Sequence, residues 1–161
     1  MKRITATAIG LVLAAGLAYA TPTGKAEDLV DRYHTATTEA GISANWRDWH
    51  PDASHQVHVL TGLAGQDFSF SYAISEWETL PDWQNNPEVV EAMEGYSEVG
   101  RSERQQTLET QEGMAVITTT VKVQYDWDGY KGTMTETDRF EITTLAGRSV
   151  IRRLTSTYDY R

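Results

Sequence analysis

The chain has 161 residues, a formal net charge of −9 at pH 7, five tryptophans, eight tyrosines and no cysteine. Its length suits one domain with a buried core, and the missing thiols exclude a disulfide framework, a cysteine nucleophile and a zinc–cysteine site. Acidity without a Lys/Arg stripe opposes phosphate backbones and anionic lipid, so nucleic acid is not an expected partner.

Residues 1–20 have the make-up of a secretory signal peptide, with Lys2 and Arg3 at the start, an apolar run from Ala8 to Leu17 and a cleavage site at Ala18-Tyr19-Ala20. The run is shorter than the roughly 20 apolar residues that span a bilayer. The expected product is a periplasmic or secreted domain of residues 21–161, clear of the membrane, with a charge of −11 once the leader's two basic residues are gone.

In "KAEDLVDRYHTATTEAG" the positions of Leu29, Val30 and Tyr33 predict a helix that turns Tyr33 inward, with Glu27 and Asp28 in its first turn and Gly41 at its end. "ISANWRDWHPDA" predicts a second short helical piece ended by Pro51, with Trp46 and Trp49 on one face. "HQVHVL" has strand character, and "DFSFSYAI" alternates, with Phe68, Phe70, Tyr72 and Ile74 on one side and serines on the other. "NNPEVVEAMEG" has the punctuation of a helix, from an Asn86 cap to a Gly95 stop.

From about Glu103 the period is two. "RQQTLETQ", "MAVITTTVKVQYDW", "GTMTETDRFEIT" and "SVIRRLTSTYDY" predict an antiparallel meander turning at "EG", "DGYKG" and "LAGR". Helices first and long strands last predict an α+β domain, its N-terminal helices packed on a curved, mostly antiparallel sheet.

Parity on "TMTETDRFEIT" puts Met134, Glu136, Asp138, Phe140 and Ile142 on one face, so a carboxyl sits among apolar side chains. Two outcomes are open there. Asp138 pairs with Arg152 or Arg153 of the next strand, or it stays unpaired in a pocket with a raised pKa and donates a hydrogen bond. Tyr33 is either an amphipathic core residue or a second polar contact in that pocket.

"NWRDWHPDASHQVHV" gathers His50, Asp52, His55 and His58, ligand types for zinc or nickel, but parity sends His55 and His58 to opposite faces. No metal and no cofactor is expected. His55 shares its face with Val57 and Val59 and has the chemistry of a general base; otherwise the stretch is a junction with a packed tryptophan pair. Trp127 in "YDWDGYKG" lies on the face of Val121, Val123 and Tyr125, at a cavity mouth, at a dimer surface or in the sheet's own packing.

The segments "VDRYHTATTEAG", "WRDWHPDA" and "TETDRFEITTLAGRSVIRRLTSTYDY" resemble the NTF2-like (SnoaL-like, cystatin-like cone) superfamily and frame residues 25–161. The resemblance implies a cone of helices on a curved sheet around a pocket for a small, largely apolar ligand. Its nearest catalytic template is ketosteroid isomerase, in which a helix tyrosine and a protonated strand aspartate stabilise an enolate opposite an aspartate base. Tyr33 matches that tyrosine and Asp138 that aspartate, but the base position falls on Val57, which accepts no proton. The resemblance thus implies Tyr33 and Asp138 as catalytic residues, with His55 substituting as base, and Tyr33, Val57, Phe140, Asp138 and Trp127 as ligand contacts. The alternative expectation is a non-catalytic interaction module, a homodimer pairing through the sheet face that carries Tyr125 and Trp127.

Overall fold

The computed structural model describes residues 26–35, 45–63, 65–79 and 94–161. Among these residues one α-helix, α1, runs over 26–35, and seven strands form a single open sheet: β1 (Trp49–Leu60), β2 (Phe68–Ala73), β3 (Tyr96–Arg101), β4 (Gln105–Gln111), β5 (Met114–Trp127), β6 (Tyr130–Leu145) and β7 (Arg148–Asp159). The spatial order is β2-β1-β7-β6-β5-β3, with β4 also on β5; β1 runs parallel to β7 and every other pair is antiparallel. The sheet is curved, and the α+β architecture is the one the sequence predicts.

The helix forms and docks because Ala26, Leu29, Val30 and Tyr33 fall on one stripe. The first three are buried against Ala115, Ile117, Phe140, Ile142, Ile151 and Leu154, and Tyr33 and Trp49 pack on the same cluster. A second cluster, Val121, Val123, Tyr125 and Met134, lies further along β5 and β6, beneath Tyr96, Tyr158 and Tyr160. Gly132 is required there, since any Cβ would collide with the Tyr125 ring.

β3 and β4 lie end to end along β5, opposite Val123–Trp127 and Met114–Thr120 respectively. Ser102 keeps the ladder unbroken between them: its N–H donates to the Lys122 carbonyl at 2.9 Å, and its Oγ accepts from the Lys122 N–H at 3.0 Å. The sequence pattern misses β3 because its side chains do not alternate cleanly and a bulge falls between Glu98 and Gly100.

Two expectations need correction. The helical piece before Pro51 is only a 3-10 turn, Asn45–Asp48; the strand already begins at Trp49 and contains Pro51. A proline is tolerated because β1 has no ladder partner on β7 between Trp49 and Ser54, so no hydrogen bond is forfeited. The turn read at "DGYKG" is Asp128-Gly129 alone, and Tyr130 and Lys131 pair with Trp127 and Asp126. The expected helix at 86–95 falls outside the described residues save its last two, Glu94 and Gly95; the leader, the Trp46 side chain and the Gly41 stop lie outside them too. Among the described residues no helix is long and apolar enough to cross a membrane.

Candidate functional site

On the face that α1 covers, the register stacks side chains in rows across the sheet. One row runs Tyr72, His55, Leu154, Phe140, Ile117; the next runs Phe70, Val57, Ser156, Asp138, Thr119; the third runs Phe68, Val59, Tyr158, Glu136, Val121. The first row is sealed by α1, with the Tyr33 and His34 rings edge-on to Phe140 at 5.2 and 5.7 Å. Exposure grows toward the β2 edge, where Phe70 is 39% and Phe68 53% accessible. The acid occupies the middle row, between sealed core and open rim.

Asp138 is 3% exposed. Neither Arg152 nor Arg153 reaches it: Arg153 pairs with Glu141 at 3.4 Å, and the partner of Asp138 is Ser156, whose Oγ donates to Oδ1 at 2.5 Å. A bulge explains the difference. Glu141 faces Arg153 but Ile142 faces Ile151, so Arg152 is the extra residue and the β7 arginines stay off the face of Ser156 and Asp138. Among the described residues the nearest ionisable nitrogen, His34 Nε2, is 4.0 Å from Oδ2 and 3.1 Å from Thr119 Oγ1. Burial raises the Asp138 pKa to about 6 against the opposing Ser156 hydrogen bond, and Glu136 adds to the rise.

From Ser156 the network continues across β7, β1 and β2. Ser156 Oγ lies 2.9 Å from His55 Nε2, and His55 Nδ1 lies 2.5 Å from the Tyr72 hydroxyl. His55 is 7% exposed, and burial lowers its pKa to about 4; burial, then the charge of Arg104, does the same to His34. Both histidines are therefore neutral near pH 7. Burial also pushes up the phenols of Tyr33, Tyr72 and Tyr158, with the charge of Asp138 adding to the effect on Tyr33 and on Tyr158. Apart from Asp138, which is uncharged only below about pH 6, and Glu136 in its ion pair with Arg101, the polar groups described on this face are uncharged donors and acceptors at neutral pH, a chemistry that suits hydrogen bonding to a neutral ligand.

The structure thus brings Asp138, His55, Val57 and Phe140 into adjacent rows and places Tyr33 above them. Tyr33 sits in the electrostatic reach of Asp138, yet no hydrogen bond joins the two among the described residues. Trp127 is not brought there. Eight residues of β5 separate it from Thr119, about 27 Å of strand at ~3.4 Å per residue; it caps Tyr96 at 5.7 Å and donates from Nε1 to the Glu94 carbonyl at 3.1 Å. Tyr125 is 6% exposed, which corrects the expectation that it shows on an open sheet face.

Sequence reasoning missed His34, Ser156, Thr119 and Tyr72. Ser156 and Thr119 were visible only as polar residues with inward parity in long strands, and His34 only as the neighbour of an inward tyrosine. Glu136 was on the inward list; the structure adds its ion pair with Arg101 at 3.0 Å. His58 faces the other way, onto Ser69 at 2.7 Å, so His55 and His58 do not converge. A separate cleft of about 240 Å³ lies between α1, the 3-10 turn and the β6–β7 hairpin, lined by Asp28, Leu29, Arg32, Asp48, Arg148 and Ser149. None of the expected site residues lines it.

The chain matches no protein-family profile, and no curated protein sequence matches it. Among solved structures it is similar to an NTF2-like protein of unknown function from Shewanella baltica OS155, at 7% identity and a TM-score of 0.44 over 91% of this chain and 95% of that one.

Proposed function

We propose that this chain is an exported NTF2-like domain that holds a small, largely apolar molecule on the covered face of its sheet, anchored through a polar atom to Asp138, with the means to move a proton on that molecule. One observation carries the reading: a carboxyl, 3% exposed and with no Lys or Arg partner among the described residues, sits in a row of apolar and hydroxyl side chains that opens toward exposed phenylalanines. In its protonated form, which predominates below its pKa of about 6, such an acid donates a hydrogen bond to a carbonyl and stabilises the enolate that forms when a neighbouring proton leaves. Tyr33 is the second polar group over the same face.

Val57 has no lone pair to offer, and His55 has both nitrogens engaged, so it moves protons only through Ser156 or Tyr72. Glu136, one row nearer the open side and held by Arg101, is the other acceptor on this face.

A thermal-shift screen with steroid-like and polyketide-like ketones tests the reading. Wild type is expected to gain stability with a ligand, about 2.7 kcal/mol at a hundredfold excess over Kd. That gain should vanish in Asp138→Leu, which has no donor, be partly kept in Asp138→Asn, which retains a neutral N–H, and shrink in Tyr33→Phe, each compared with its own ligand-free form. No stabilisation across a broad library overturns the proposal. Export is tested by the mass of the chain recovered outside the cytoplasm, expected to begin at Thr21.

A second reading, a homodimer, is favoured by the exposed aromatic pair at the β5–β6 turn, Trp127 at 36% and Tyr130 at 71% accessible. Sedimentation of wild type and Trp127→Ala separates the two: a dimer that the variant turns to monomer with ligand binding intact supports this reading, and a monomeric wild type or an unchanged dimer in the variant removes it.

A further inference from the structure

The network behind Asp138 has a direction. A neutral imidazole carries one N–H, so of His55's two contacts one is donated and one is accepted. The Ser156 hydroxyl has a single hydrogen, and the geometry aims it at Asp138 Oδ1. The Ser156 oxygen must then accept from His55 Nε2–H, which leaves Nδ1 bare to accept from Tyr72. A phenol is a stronger donor than acceptor, so it favours the same sense. All three bonds point toward Asp138.

We infer that Tyr72, His55 and Ser156 form a one-way donor chain ending on Oδ1 of Asp138, and that it reserves Oδ2, the oxygen on the His34 side, as the one that carries a proton to a ligand. His55 and Ser156 are then positioning residues, and the site takes an uncharged hydrogen-bond acceptor such as a ketone. The inference rests on the proposed ligand site for its purpose, though not for its geometry. A second donor on Oδ1 would compete with Ser156, whereas among the described residues the ionisable group nearest Oδ2 is His34, whose Nε2 lies 4.0 Å away. Among the described residues the charged and titratable groups around Asp138 are Glu136 on its own strand, Arg101 on β3, Tyr158 on β7, His55 on β1 behind Ser156, and Tyr33 and His34 on α1, with Arg104 behind His34.

Nitrogen-15 spectra of the His55 ring in ligand-free protein at pH 7.5 read the direction. The Nε2–H tautomer is expected; a dominant Nδ1–H tautomer reverses the chain and overturns the inference. The carboxyl titration of Asp138, followed by carbon-13, tests its reach. Ser156→Ala removes the donor and should raise the midpoint by about one pH unit. His55→Leu should shift it the same way by less, and His55→Gln, which keeps an N–H near the position of Nε2, should restore it. If Ser156→Ala moves the midpoint and His55→Leu does not, the chain stops at the serine and the inference fails. Absence of any ketone binding sinks the functional proposal and leaves the tautomer result standing, so the two failures are distinguishable.

Discussion

Asp138, His55 and His34 titrate outside their ordinary ranges, and each displacement is also a statement about folding. The Asp138 pKa rises from 3.8 to about 6, so its contribution to stability is full below the unfolded value and is lost as pH rises through 6, about 3 kcal/mol in all. The two histidines fall from 6.5 to about 4, so theirs is present above 6.5 and is lost as pH drops through 4, about 3 kcal/mol as an upper figure for His55 and less for His34, whose charge solvent partly screens. Stability should therefore be greatest near neutrality and decline below pH 6, where two unfolded-state protons outweigh one native proton. Asp138→Asn removes the buried charge and is expected to raise the unfolding free energy at pH 8 by about 1–3 kcal/mol, with little difference at pH 5. Urea titrations at both pH values check this; a variant less stable at pH 8 would show that the carboxylate is at ease in its place.

At the scale of elements, three hairpin turns set the register of β4 to β7. Each has two residues at positive φ: Glu112 and Gly113, Asp128 and Gly129, Ala146 and Gly147. Paired positive φ values match the twist of the flanking strands, which is why the X-Gly dipeptides were readable as turns. Ala146, at φ 49°, has no side-chain oxygen to ease the left-handed conformation. Ala146→Asn should stabilise by about 0.5–1 kcal/mol, seen as a higher urea midpoint at unchanged slope. The Arg152 bulge was not readable, because an inserted residue leaves the alternation on either side intact and shows only as a change of phase against a partner strand.

For the molecule as a whole, the decisive contact is between strands far apart in sequence. β7 lies between β1 and β6, and its parallel pairing with β1 ties residues 49–60 to residues 151–159. It also supplies Leu154 to the core and Ser156 to Asp138. A chain ending at Leu145 is expected to lose cooperative unfolding altogether, since β1 and β2 would have no sheet to join; calorimetry showing a single sharp transition in that truncation would contradict the role given to β7.

Local chemistry was enough to place the meander, the inward stripe of α1 and the inward parity of Asp138, because strand alternation, helix spacing and turn conformation each depend on neighbours a few residues away. The partner of Asp138, the tethering of both His55 nitrogens and the departure of Trp127 from the site depended on which strand lies beside which, and on one bulge. Those are set by pairings between strands, 17 residues apart for His55 and Tyr72, 18 for Asp138 and Ser156 and 101 for His55 and Ser156, and no period within a strand encodes them.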